Sequence, residues 1–200
     1  ENVGTYAIEQ NTLTAGNNYI ISYTGATFTI RKADPAVTAP AANDRVYDGT
    51  VQELLFAGSA TGGTMVYSML EDGTYGSIPV AENAGTYTVW YMVKGDSNHN
   101  DTAPQSVTVT IAKAPVAVQG TDMTVTYNGQ DIDLRQMFSI DENAGTIDYT
   151  IIDLTGDGTF TGAPYLYQII KAGTFTVKVT TEETANYLSG SATAVLTVNK

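Results

Sequence analysis

The chain has 200 residues, no cysteine and a formal net charge of −12 at pH 7. The absence of cysteine excludes disulfides, thiolate nucleophiles and cysteine metal sites, and the acidic balance disfavours nucleic acid and anionic lipid as partners. A hydrophobic fraction of 42% with 13 Tyr argues against disorder, and no apolar run approaches the ~18 residues of a membrane span. Only 15% of residues are charged, and this composition predicts an all-β protein of many short strands.

Residues 1–33 are predicted to form the second half of a repeat. We expect strands at Thr5–Ile8, Tyr19–Tyr23 and Ala26–Ile30, with Thr24-Gly25 as the turn between the last two. Because the chain opens inside a repeat, we expect it to be an excerpt from a longer protein. The strands of a half repeat have open edges, which could dock on the following domain, dimerise or pair with another molecule.

A short signature marks the repeat. It occurs as Asn2-Val3-Gly4-Thr5-Tyr6, Asn83-Ala84-Gly85-Thr86-Tyr87 and Ala172-Gly173-Thr174-Phe175. Gly can take a positive φ or admit a close backbone, and the alternation that follows sets one face of a strand against a core. Each copy continues, at near-constant spacing, to an Asn-Tyr or Asn-His pair and to a closing strand that ends in Lys, and this order is a strong repeat signal. The pairs and their closing lysines are Asn18-Tyr19 with Lys32, Asn98-His99 with Lys113, and Asn186-Tyr187 with Lys200.

Two complete repeats follow, with predicted boundaries at residues 34–114 and 115–200. Each begins beside a proline, which suits the first residue of a strand. Tight turns are predicted at Tyr47-Asp48-Gly49 and at Tyr127-Asn128-Gly129. Middle strands are expected near Glu53–Phe56, Thr64–Met69, Asp133–Phe138 and Thr146–Ile152, and Leu134–Phe138 could form one helical turn.

This pattern fits an immunoglobulin-like β-sandwich better than a barrel. The predicted organisation is therefore a half repeat at 1–33 and two immunoglobulin-like domains at 34–114 and 115–200. Since the linkers around Lys32 and Lys113 are very short, we expect the domains to be arranged end to end as a rod.

The landmarks resemble the MBG/YDG-type bacterial immunoglobulin-like repeats of large surface proteins. The matching residues are Tyr47-Asp48-Gly49, Ala84-Gly85-Thr86-Tyr87, Asn186-Tyr187 and the closing lysines, while His99 stands where the family usually has Tyr. The resemblance implies an extracellular, cell-wall-attached or secreted bacterial protein in which such repeats form stalks or adhesive arrays. It implies neighbouring repeats of the same chain as partners, and it brings no catalytic residues.

Trp90 is the candidate ligand-binding residue. In the repeat alignment Trp90 matches Lys178, which should point outward because an unpaired buried ammonium is very costly. The only Trp of the chain is therefore predicted to lie on the outer face of its strand, where it could stack on a sugar or anchor a neighbouring chain. The alternative is that Trp90 covers its own sheet or a seam between domains.

One loop is a weak calcium candidate. Asp96, Asn98 and Asp101 place oxygen ligands at nearly alternate positions, but the loop lacks the glycine and the distant glutamate of an EF-hand. Asp153–Gly158 is a poorer candidate. Asn and Asp are also the usual residues of turns, so no metal is predicted.

The sequence predicts no enzyme and no cofactor. His99 is the only histidine, no Gly-x-Ser-x-Gly elbow accompanies it, and no phosphate-cradling glycine loop is present. We expect a non-enzymatic stalk module that spaces a distal functional domain. The alternative is an adhesive module that recognises glycan or host protein through an aromatic strand face at Trp90.

Overall fold

The chain is folded almost entirely into β-strands. A computed structural model describes residues 1–152, 158–161 and 163–200. The chain divides into two compact units. Unit 1 comprises Glu1–Asp44, Val51–Ala81 and Thr86–Thr110, and unit 2 comprises Arg45–Thr50, Glu82–Gly85 and Ile111–Lys200.

Short strands dominate the chain up to residue 112. They are β1 (Gly4–Ile8), β2 (Ala26–Ile30), β3 (Ala36–Thr38), β4 (Ala41–Ala42), β5 (Arg45–Val46), β6 (Gln52–Glu53), β7 (Leu55–Phe56), β8 (Ser59–Thr61), β9 (Gly63–Ser68), β10 (Val80–Ala81), β11 (Gly85–Gly95) and β12 (Gln105–Ala112). The main sheet has the order β5-β12-β11-β9, with β5 parallel to β12 and β9 antiparallel to β11. The remaining strands pair as β1-β2, β3-β8, β4-β7 and β6-β10.

The rest of the chain repeats this arrangement. Its elements are β13 (Val118–Gly120), β14 (Met123–Thr126), β15 (Ile132–Asp133), a 3-10 helix (Leu134–Met137), β16 (Phe138–Ile140), β17 (Ile147–Ile151), β18 (Gly158–Phe160), β19 (Leu166–Ile169), β20 (Gly173–Thr181) and β21 (Gly190–Asn199). The main sheet has the order β14-β21-β20-β17, again with a parallel edge strand, β14, against the last strand. The other pairings are β13-β16 and β15-β19-β18. The helical turn predicted within Leu134–Phe138 is confirmed.

Alternation along the strands builds the cores. In β11 Val89, Tyr91 and Val93 are buried, while the residues between them are more exposed. In unit 2 the buried cluster joins Val177 of β20 to the helical residue Met137 and includes Leu134, Tyr149, Ile151, Tyr167, Ile169, Phe175, Val179, Ala194, Leu196 and Val198. The prediction of an immunoglobulin-like β-sandwich is confirmed, whereas the domain boundaries and the end-to-end arrangement stay predictions.

The first two strands form a bare hairpin. Tyr6 lies opposite Phe28 across β1 and β2, in the register that sets Phe175 opposite Leu196 across β20 and β21. Tyr6 is 43% and Phe28 55% exposed, whereas Phe175 and Leu196 are 2% and 0% exposed. The hairpin therefore shows to solvent the face that the complete repeat buries.

The strand predicted at Tyr19–Tyr23 is wrong. β1 pairs directly with β2, and residues 9–25 connect them without a strand. Within the described residues Tyr19–Tyr23 pairs with no strand, although the Tyr23 hydroxyl donates to the Ile8 carbonyl. The predicted turn at Thr24-Gly25 therefore does not join two strands.

The two tight turns are confirmed in detail. Gly49 and Gly129 have φ of +76° and +75°, a region that side-chain-bearing residues rarely adopt. The residue before each glycine accepts a hydrogen bond from a backbone N–H two positions on, at 2.9 Å from Thr50 to Asp48 and at 3.0 Å from Gln130 to Asn128. The equivalent turns are thus built by the same side-chain chemistry.

Candidate functional site

Trp90 lies on the outer face of β11. Its neighbours Val89 and Tyr91 are buried, whereas Trp90 is half-buried and lies opposite Ser68 of β9. Lys178, its match in the alignment, is also half-buried on the outer face of β20. The alternation thus places both side chains away from the core, and a role of Trp90 in ligand binding stays a prediction.

The two aspartates of the calcium candidate accept hydrogen bonds from within their own loop. Asp96 Oδ1 accepts a hydrogen bond of 2.8 Å from the Asn98 backbone and lies 2.7 Å from His99 Nδ1. The hydrogen bond with His99, and after it the one from Asn98, holds the pKa of Asp96 below its usual range. Asp101 accepts from the Gly95 backbone at 2.9 Å. In residues 1–152, 158–161 and 163–200, no three His, Cys, Asp or Glu side chains are grouped to hold a metal ion.

His99 is packed against backbone. Gly62 has a φ of +91°, and a Cβ at this position would come within 2.5 Å of the His99 ring. The ring is therefore held between Gly62 and Asp96, an arrangement that accounts for this histidine as a packing residue. The poorer calcium candidate, Asp153–Gly158, lies outside the described residues except for its last residue. Nothing in the described part of the chain points to catalysis.

In unit 1, the side chain of Asn98 in the same loop makes two hydrogen bonds to residues near the start of the chain. Asn98 Oδ1 accepts a hydrogen bond of 2.9 Å from the Val3 backbone N–H. Its Nδ2 donates to the Oδ1 of Asn2 at 3.3 Å. One half-buried side chain thus holds the turn that enters β1, and we call this pair of contacts an asparagine clamp.

The same clamp recurs in unit 2. Asn186 Oδ1 accepts from the Ala84 backbone N–H at 2.9 Å, and its Nδ2 donates to Asn83 Oδ1 at 3.0 Å. Asn83 and Ala84 are the counterparts of Asn2 and Val3 in the signature. The loop of one sequence repeat therefore holds the signature turn of the repeat before it, in both places.

Backbone pairing accompanies each clamp. The Ala33 N–H donates to the Asn98 carbonyl at 3.0 Å, and the Ala33 carbonyl accepts from Asn100 at 2.8 Å. In unit 2 the Ala114 N–H donates to the Asn186 carbonyl at 2.9 Å, and the Ala114 carbonyl accepts from Leu188 at 2.8 Å. Each linker alanine thus forms a short parallel bridge with the loop.

The closing lysines complete the arrangement. Lys32 Nζ donates to the His99 carbonyl at 3.1 Å and to the Asp96 carbonyl at 3.3 Å. Lys113 Nζ donates to the Thr184 carbonyl and pairs with the Glu183 carboxylate. An ammonium beside loop carbonyls forms charge-assisted hydrogen bonds, which are stronger than neutral ones.

An aromatic pair adds to the clamp of unit 2. The Tyr187 ring meets the Tyr47 ring edge to face, with centroids 5.4 Å apart and an interplanar angle of 79°. Burial raises the pKa of Tyr187, and the neighbouring Tyr47 adds to the shift. The turn residue Tyr47 and the loop residue Tyr187, both repeat landmarks, thus contact each other.

Sequence reasoning found these asparagines as landmarks but missed what they do. The sequence did contain a signal for these contacts. Asn2 stands before the first signature glycine and Asn98 follows in the next repeat, and Asn83 and Asn186 are related in the same way. Local pattern assigned all four to turns, whereas the contacts join residues 95 and 102 positions apart.

No family model and no curated protein matches the chain. Among solved structures, Drosophila N-cadherin EC1-3 is similar at 13% identity and a TM-score of 0.31, over 86% of this chain and 69% of that one. The fibronectin(III)-like modules of Clostridium thermocellum CbhA are similar at 17% identity and a TM-score of 0.30, over 82% of this chain and 94% of theirs.

A third similar structure is Bacteroides ovatus SGBP-B in complex with a mixed-linkage heptasaccharide. It is 15% identical with a TM-score of 0.28, over 84% of this chain and 48% of that chain. The present chain spans about half the length of SGBP-B and 56% of Drosophila N-cadherin EC1-4. Within the described residues, no helix is long and apolar enough to cross a membrane.

Proposed function

We propose that the chain is a non-enzymatic stalk module of a bacterial surface or secreted protein, which spaces a distal functional domain. The observation that carries this proposal is the asparagine clamp, because the same side-chain contacts are built twice between the same sequence landmarks. A binding site would need to occur only once, whereas a device that fixes consecutive repeats must recur at each junction.

The chemistry of the clamp suits this role. Each clamp is accompanied by the backbone bridge of a linker alanine and by the contacts of a lysine, so several hydrogen bonds fix the loop in more than one direction. Most of the hydrogen-bond partners in these contacts are backbone groups. Such contacts can form even where the surface side chains differ from one repeat to the next. On the resemblance to MBG/YDG-type repeats, we also propose an extracellular location and neighbouring repeats of the same protein as the partners.

Small-angle scattering tests the proposal. We expect the wild-type chain to give the profile of one extended, rigid particle. The double variant Asn98→Ala with Asn186→Ala should give a more flexible profile at unchanged strand content by circular dichroism. A wild-type profile of independently tumbling domains would refute the stalk function.

An adhesive module is the second candidate. It is favoured by Trp90, an aromatic residue that is half-buried and not fully buried on the outer face of β11. A glycan and matrix-protein array probed with the chain and with Trp90→Ala separates the candidates. Binding that disappears in Trp90→Ala would establish adhesion through this face, and binding by neither protein would exclude adhesion to the arrayed ligands.

A further inference from the structure

We propose that Asn128 is a site of spontaneous chemical modification, at which the asparagine is converted to aspartate and isoaspartate. The reaction needs no enzyme, because the attacking group is the backbone nitrogen of the next residue. The isoaspartate product would lengthen the turn after β14 and weaken the pairing of this strand with β21. This inference goes beyond the proposed stalk function and does not depend on it.

The site is set by sequence and by open space. Asn128-Gly129 is the only Asn-Gly pair in the 200 residues. Glycine has no Cβ, so the path to its backbone nitrogen is open. Apart from its chain neighbours, no described atom lies within 4 Å of the position that a Cβ would take at Gly129, and both residues are exposed. The cyclic intermediate and the water that opens it therefore have room to form and to enter.

The turn holds the two reacting groups together. Asn128 Oδ1 accepts a hydrogen bond of 3.0 Å from the Gln130 backbone N–H. This bond closes a ring of atoms that contains both the Asn128 Cγ and the Gly129 nitrogen. A donor on the carbonyl oxygen also stabilises the negative charge that develops there during attack on Cγ. In the described part of the chain the Gly129 N–H donates to no acceptor, so its proton can pass to solvent.

The chemistry balances with water alone. The Gly129 nitrogen loses its proton to hydroxide and attacks Asn128 Cγ. The N–Cγ bond forms, the Cγ–Nδ2 bond breaks, and Nδ2 takes a proton from water and leaves as ammonia. Water then adds to the cyclic imide. Opening at Cγ gives aspartate, whereas opening at the backbone carbonyl gives isoaspartate, in which the main chain runs through the former side chain.

The first complete repeat already carries the aspartate product at the equivalent position. Asp48 Oδ1 accepts from the Thr50 backbone N–H at 2.9 Å and from the Thr50 hydroxyl at 2.6 Å. Gly49 has a φ of +76° and Gly129 one of +75°. The turn therefore accommodates an aspartate at this position with the same backbone, and the isoaspartate is the product that perturbs it.

The exposure of the site is independent of further repeats. Asp48, Gly49 and Thr50 are exposed, although Tyr47 in the same turn packs on Tyr187 of the following repeat. A repeat packed on Tyr127 in the same way would likewise leave the Asn-Gly pair in solvent. The proposal thus holds whatever precedes or follows these 200 residues.

Isoaspartate would act on the parallel edge strand. The Tyr127 N–H donates to the Asn199 carbonyl at 2.9 Å, directly after the pairing of β14 with β21. Isoaspartate adds one carbon to the main chain immediately after Tyr127, and it removes the side-chain acceptor of the Gln130 N–H. We therefore expect the Tyr127 hydrogen bond to open in this product and to persist in the aspartate product.

Peptide mapping by mass spectrometry tests the proposal on the full chain, incubated folded in mildly alkaline buffer at body temperature. The peptide that contains Asn128 should gain about 1 Da, and fragmentation by electron transfer should reveal isoaspartate. Asn143 is the internal control, since it is exposed and followed by Ala144, whose N–H donates to the Asp141 carbonyl. We expect Asn128 to react at least about tenfold faster than Asn143, because alanine carries a Cβ. The matched variant Asn128→Asp should gain no mass.

Two outcomes would overturn the assignment of the site. One is an Asn128 that stays intact in the folded chain while a synthetic peptide of residues 125–131 converts, because the turn would then block the attack. The other is Asn143 reacting as fast as Asn128. The isoaspartate form, separated by ion exchange, should exchange the Tyr127 amide hydrogen at least about fivefold faster than Asn128→Asp does. Equal exchange would overturn the proposed effect on β14.

Discussion

Replacing Asn186 by alanine should destabilise unit 2 measurably. The change removes the acceptor of the Ala84 N–H and the donor to Asn83, while the Asn186 backbone bridge to Ala114 remains. A hydrogen bond contributes a net 0.5–1.5 kcal/mol or so, more when a half-buried partner loses its only acceptor. Because Ala84 is half-buried and Asn83 exposed, we expect a total loss of about 1.5–2 kcal/mol.

For a unit of roughly 100 residues this loss lowers the melting temperature by about 5–10 °C. Urea unfolding followed by circular dichroism gives the free energy, and amide hydrogen exchange at Ala84 shows where it is lost. The control is Asn143→Ala, since exposed Asn143 hydrogen-bonds only to Asp141 among the residues that the structure describes. The reasoning fails if Asn186→Ala unfolds like Asn143→Ala, or if exchange at Ala84 stays as slow as in the wild type.

Two further predictions concern the Asp96 loop. The lowered pKa of Asp96 means that its carboxylate stabilises the fold above its ordinary pKa near 4 and that this contribution is lost as pH falls through the lowered value. The free energy of unfolding of Asp96→Asn should therefore decrease less steeply than that of the wild type below about pH 4. If the two free energies decrease in parallel as the pH is lowered, this prediction is contradicted. Gly62→Ala should cost about 1–3 kcal/mol, because it combines a positive φ with a clash against His99. Gly16→Ala is its control in thermal melts, since Gly16 has a φ of +79° and open space around it; equal costs would show that the His99 contact does not matter.

The sandwich could be predicted because each strand carries its own periodicity. In β11 the alternation of apolar residues at Val89, Tyr91 and Val93 predicts a buried face without reference to any other part of the chain. The turn glycines Gly49 and Gly129 are equally local, since their positive φ is a property of the residue itself. Because the same landmarks recur in each repeat, these local signals also predicted the repeat pattern, whereas the order of the strands in each sheet comes from the structure.

The failed strand at Tyr19–Tyr23 shows where local signals end. Its apolar residues satisfy the pattern of a strand, but a strand forms only where it pairs with another. β1 and β2 pair with each other and each keeps one open edge, and Tyr19–Tyr23 pairs with neither. Pairing is a property of the whole sheet, so no count of residues within the segment could have excluded it.

A positive φ at the signature glycine was one of the two causes considered, and it is not found at Gly4 or Gly173. A Cβ at Gly173 would lie 3.4 Å from the ring of Phe175, two residues ahead on the same face of the strand. This is an ordinary van der Waals contact, so the structure gives no steric reason for glycine at this position.

The parallel edge strands have a mechanical consequence. When the two ends of a sandwich are pulled apart, an early edge strand that lies parallel to the last strand must slide past it, so the hydrogen bonds between the two are loaded together and cannot open one by one. β14 lies against β21 over four residue pairs, from Met123 with Leu196 to Thr126 with Asn199. β5 lies against β12 over two, Arg45 with Ile111 and Val46 with Ala112. Under tension the two-pair contact of β5 with β12 should therefore open at a lower force than the four-pair contact of β14 with β21.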